Sequence, residues 1–128
     1  MRSRETLLRL HRFRTEECRR QASDIAGMIQ DLTKKYDELD AHVRFEESRN
    51  GVSDPANVNY SMAAKATRGR RDNLLKSIAD LRDQQATVVA QLADEETNLR
   101  KVELLMEKES GISTVSALSN TPHPAHAH

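Results

Sequence analysis

The sequence predicts an all-α protein: two long helices forming an antiparallel coiled-coil hairpin, with a disordered C-terminal tail. Three observations lead there. Leu74, Ile78, Leu81, Gln85, Val88, Leu92, Glu95, Leu99, Val102 and Met106 follow one another at alternating steps of four and three. A stripe of that period stays on a neighbouring helix only if the two wind around each other left-handedly. Cys18, Ala22, Ile25, Ile29, Leu32, Tyr36, Leu39 and Val43 make a second stripe of the same period. Between the two stands one strong breaker cluster, Asn50-Gly51-Val52-Ser53-Asp54-Pro55.

Composition sets the thickness of the core. Charged residues make up 31% of the 128-residue chain and aromatics only 3%, with no tryptophan. Large aromatic side chains fill thick cores, so this chain is suited to the single layer between two helices. The charge balance is even, with 20 basic and 20 acidic residues. Dedicated nucleic-acid binders are basic overall, so none is expected. The N-terminal residues lead into no apolar run, so no signal peptide is expected, and no apolar stretch is long enough for stable membrane insertion. Cys18 is the single cysteine, so it forms no internal disulfide and gives no zinc spacing; a cytoplasmic protein with a reduced thiol is expected.

The first helix is expected over about 3–49. Ser3 is placed to cap it, with Glu5 and Thr6 in the first turn. Leu7, Leu10 and Phe13 open an amphipathic stretch whose phase differs from that of the Cys18 stripe. A stutter between Leu10 and Cys18 is therefore expected, with His11 and Thr15 in its weak positions. Residues 50–57 form the turn, because glycine ends a helix in the left-handed conformation and Asp-Pro starts a new direction. The second helix is expected over about 58–109, stopped by Ser110-Gly111. The tail, 110–128, lacks periodicity and is expected to be disordered.

A short connection folds two seams back on each other. Ile25 then lies opposite Leu81 or Arg82, Ile29 opposite Ile78, and Leu32 opposite Leu74 or Leu75. Charges agree with that register. Arg2, Arg4, Arg9, Arg12, Arg14, Arg19 and Arg20 fall beside Asp94, Glu95, Glu96, Glu103, Glu107 and Glu109. Asp37, Glu38, Asp40, Glu46 and Glu47 fall near Lys65, Arg68, Arg70 and Arg71. Arg71, itself on the seam, is expected over Tyr36 with its guanidinium reaching Asp37 or Asp40. Gln85 and Glu95, the latter facing His11 and Thr15, weaken the seam and fix its register.

Little of this is catalytic chemistry. The four glycines are isolated, so no phosphate-cradling loop is present. Cys18 with His11 has the composition of a nucleophile pair, but free cysteine is by habit a small buried hydrophobe. His123, His126 and His128 could hold a metal only by ordering the tail. No catalytic residue, cofactor or metal site is therefore expected. Two basic clusters remain: Arg4, Arg9, Arg12 and Arg14 at the open end, and Lys65 to Arg71 near the turn. Either reads first as a solvated face. An outward glycine, Gly69, lies in the second and costs roughly 1 kcal/mol in a helix interior, which points to close approach of a partner.

Ser3-Arg4-Glu5-Thr6-Leu7-Leu8-Arg9-Leu10, Gly51-Val52-Ser53-Asp54-Pro55 with Asn59-Tyr60, and Arg70-Arg71-Asp72-Asn73-Leu74 resemble the FliJ family. FliJ proteins are small coiled-coil components of the flagellar type III export apparatus. The likeness covers Met1 to Glu109. It implies an antiparallel hairpin similar to the rotary shaft of ATP synthases, peripheral to the export apparatus at the inner membrane. The open end would engage the hexameric export ATPase FliI, and the early second helix the export gate FlhA; export chaperones are further partners. By position, Arg4, Arg9, Arg12 and Arg14 would face the ATPase ring. Tyr60, Thr67, Arg68, Arg70 and Arg71 would face the gate, although Ala63, Thr67 and Arg70 stand where bulky residues are found in the family. The alternative from another class is a self-associating coiled-coil scaffold or holding chaperone.

Overall fold

The computed structural model describes residues 2–119, with side chains described for 3–111. Among these residues the protein is all-helical. Helix α1 spans Arg2–Asn50, helix α2 spans Met62–Ser119, and residues 51–61 connect them. The helices pack antiparallel: Tyr60 reaches Glu47 just across the turn, and Arg71 lies over Tyr36 further along. No described helix is long and apolar enough to cross a membrane.

Alternation of three and four residues decides what is inside. Just before α2 and along it the inward positions are Tyr60, Ala64, Thr67, Arg71, Leu74, Ile78, Leu81, Gln85, Val88, Leu92, Glu95, Leu99, Val102 and Met106, all buried or half-buried. Val43, 2% exposed, and Ala64, fully buried, close the layer near the turn. Burying a Val, Leu or Ile side chain contributes about 1.5–3 kcal/mol. The layer is one side chain deep, so most seam residues remain half-buried. Thr15 and Thr67 are buried as well. Their hydroxyls donate to carbonyls one turn back, Thr15 to His11 at 2.6 Å and Thr67 to Ala63 at 2.9 Å, which removes the desolvation penalty of a bare hydroxyl. Contacts divide the chain into two units, one of residues up to Arg19 with those from Ala90 onward, the other Arg20–Val89.

The stutter expected in α1 is absent. The stripe continues back from Cys18 in phase through Thr15, His11 and Leu8, which are buried or half-buried, while Leu7, Leu10 and Phe13 are exposed. Phase is set by the whole seam: slipping it for three apolar side chains would expose the partners of every residue beyond. His11 and Thr15 tolerate the inward positions because each has a hydrogen-bond partner there.

Helix ends also differ from expectation. Ser3 lies inside α1, which begins at Arg2; helix ends commonly shift by a residue or two. Helix α2 starts at Met62, with Ser61 as its cap, the Ser61 hydroxyl accepting from the Ala64 N–H at 3.2 Å. A start at 58 is excluded by the turns that use Asn57 and Asn59. Helix α2 then continues through Ser110-Gly111 to Ser119, past the end expected near 109. One glycine costs about 1 kcal/mol in a helix and does not end it without the left-handed conformation, which here only Gly51 adopts among the described residues. The remainder of the tail, with His123, His126 and His128, lies outside the described residues.

The connection is ordered by its own polar atoms. Gly51, at φ 77°, donates its N–H to the Glu47 carbonyl at 2.9 Å, the left-handed close of a helix. Asp54 accepts the Ala56 N–H through Oδ1 at 3.0 Å, and Asn57 accepts the Asn59 N–H through Oδ1 at 2.8 Å; such short polar side chains mimic backbone turns. Asn50 donates through Nδ2 to the Asn59 carbonyl at 2.8 Å.

Candidate partner interface

Which charged side chains are spent inside the fold separates structure from surface. In the unit containing the N-terminus, the Arg4 guanidinium lies 2.7 Å from Glu109, and Arg19 lies 3.1 Å from both Glu16 and Glu96. Its hydrogen bond to Glu96 raises the Arg19 pKa further above the ordinary range. His11 Nδ1 lies 3.1 Å from the Glu95 carboxylate, both largely buried; Cys18, half-buried on the seam, makes no hydrogen bond to it. Arg9, Arg12 and Arg14 differ. All three are exposed, and among the described residues they form no ion pair. Phe13, 64% exposed, and Leu10, 37% exposed, lie among them, with Leu7, Leu104 and Leu105 also exposed in this unit.

In the unit containing the turn, four of the five residues expected to face the gate turn toward α1. Tyr60 is buried, and its hydroxyl donates to Glu47 at 2.7 Å. Burial, helped by the Glu47 carboxylate, pushes the Tyr60 pKa up. Arg68 approaches the same carboxylate at 3.9 Å. Thr67 is buried on the seam. Arg71 lies 5.9 Å above the Tyr36 ring, with Nη1 2.8 Å from Asp40 and Nη2 3.0 Å from Asp72. Burial opposes the charge on Arg71, but the hydrogen bonds to Asp72 and Asp40, with the charge of Asp72, together outweigh it and raise the pKa. Only Arg70 of the five is exposed and unpaired among the described residues.

No family model, curated protein or solved structure matches the chain.

A residue that the sequence did not single out stands beside Arg70. Lys35, on α1, lines the same open surface groove, with Glu38, Leu39, Asn73 and Leu74. Lys35 precedes Tyr36 and Arg70 precedes Arg71, and Tyr36 faces Arg71. In an antiparallel pair, residues just before facing seam residues flank the same side of the seam. The signal was present in the register: applied to flanking positions as well as to the seam, it sets two cations opposite each other.

Proposed function

We propose that this protein is a FliJ-like component of the flagellar type III export apparatus, a two-helix stalk coupling the hexameric export ATPase FliI to the export gate FlhA and assisting export chaperones. It acts in the cytoplasm at the membrane-embedded apparatus, by contact and not by catalysis. The observation that supports this most is the set of unpaired, exposed arginines Arg9, Arg12 and Arg14 around exposed Leu10 and Phe13. Arginine is enriched among interface hot spots, and excess positive charge suits an acidic partner surface. Arg4, held by Glu109, belongs to the hairpin's own closure under this reading.

ATP hydrolysis by FliI with and without the protein tests the proposal. Stimulated turnover is expected, and Arg9→Glu/Arg12→Glu/Arg14→Glu is expected to lose it while keeping the helical circular dichroism of the parent. Unchanged stimulation by the triple variant would sink the ring-facing assignment. A second reading, a self-associating scaffold, is favoured by the exposed Leu7, Leu104 and Leu105. Sedimentation distinguishes the two, since the stalk is a monomer alone.

A further inference from the structure

The two flanks of the seam are charged differently near the turn. On one flank, Glu47 faces Arg68 at 3.9 Å, opposite charges in register. On the other, Lys35 and Arg70 line one groove, and neither forms an ion pair among the described residues. Like charges flanking a seam from both helices oppose their pairing. Gly69, next to Arg70, is exposed, and a Cβ there would meet nothing within 4 Å, so helix packing does not require it. The groove floor is half-buried Leu39 and Leu74, and Asn73 adds an amide to the wall.

We infer that the Lys35–Arg70 groove docks an acidic amphipathic helix of a protein partner. A glutamate of that helix sits between the Lys35 ammonium and the Arg70 guanidinium, and an apolar neighbour packs on Leu39 and Leu74. Charge-assisted hydrogen bonds from two cations to one carboxylate are the stronger kind, and they remove the repulsion that the free protein carries. Glu38, in the same groove, limits the negative charge the groove accepts, so a run of phosphates suits it less than a single carboxylate. That the partner is the export gate rests on the function proposed above; its chemistry does not.

The test uses the full chain, a synthetic amphipathic helix with glutamates beside a leucine stripe, its lysine counterpart, and the gate's cytoplasmic domain. Titration calorimetry is expected to show binding of the glutamate helix, weakened about tenfold or more by Lys35→Glu or Arg70→Glu. Lys35→Glu/Arg70→Glu is expected to prefer the lysine helix. Each single reversal creates an ion pair across the groove and is expected to raise the melting temperature by about 1–3 °C, which excludes misfolding as the cause of lost binding. No binding of the glutamate helix by the parent, equal binding by the double variant, or preference for duplex DNA would each overturn the inference. Gate binding and glutamate-helix binding that both survive in the double variant would overturn it while leaving the gate reading intact. Glutamate-helix binding without gate binding would uphold it and remove the gate as partner.

Discussion

His11 and Glu95 occupy facing seam positions that apolar side chains would fill in a uniform coiled coil. Their 3.1 Å contact is largely shielded from water, so losing one partner strands the other. Leaving a buried polar group unsatisfied costs about 1–3 kcal/mol, whereas replacing both partners by apolar residues is often neutral or stabilising. His11→Leu and Glu95→Leu should each lower the urea midpoint, and the double variant should return to the parent midpoint or above. Four unfolding curves decide it. This pair, like Arg71 over Tyr36 and toward Asp40, was legible in the sequence because two long stripes and one turn fix the register.

Tyr60 adds a pH dependence whose sign follows from its burial. Its pKa in the fold is raised above the ordinary 10.0, so the folded state holds the phenolic proton after the unfolded chain has released it. The stabilisation is complete below pH 10.0 and is lost as pH rises through the folded-state pKa. Tyr60→Phe should cost about 1 kcal/mol near neutrality and flatten the alkaline decline. Denaturation at neutral and alkaline pH compares the slopes.

At the scale of elements, two glycines separate conformation from packing. Gly51 sits at φ 77°, where a side chain costs about 1–2 kcal/mol, so Gly51→Ala should destabilise by that amount. Gly69 lies in a regular helix with open space beyond its Cα, and Gly69→Ala should stabilise by up to about 1 kcal/mol. Thermal melts of the two variants should move in opposite directions. The beginning of α1 shows where reading the sequence fails. Leu7, Leu10 and Phe13 are the apolar residues there, but the seam takes Leu8, His11 and Thr15. Hydrophobicity is a local signal, and phase is inherited from the rest of the helix. The end of α2 failed for a related reason: Gly111 carries the composition of a stop without its backbone conformation. Of the candidate interface, Arg9, Arg12, Arg14 and Arg70 were legible as charge, but which basic residues are already neutralised depends on pairings that only the folded chain fixes.

At the scale of the molecule, the two units differ in what fills their seams. The Arg20–Val89 unit contains Val43, Ala64, Ile78 and Val88, all buried. The other unit places His11, Thr15 and Glu95 on its seam. Less apolar burial means cheaper local opening. Amide hydrogen exchange should therefore be faster around His11 and Glu95 than around Val43 and Ile78. Uniform protection across both units would contradict that division of stability.

The polar atoms of the connection also bear on how the chain finds its fold. Tyr60 and Glu47 are only 13 residues apart, and the turns at Asp54 and Asn57 shorten the search between them further. His11 and Glu95 are 84 residues apart. Loop-closure entropy rises with the length enclosed, so contacts form most cheaply beside the turn, and each one formed shortens the loop left for the next. The hairpin is therefore expected to zip outward from Tyr60, with its register chosen before the arginine-rich residues have met their partner helix.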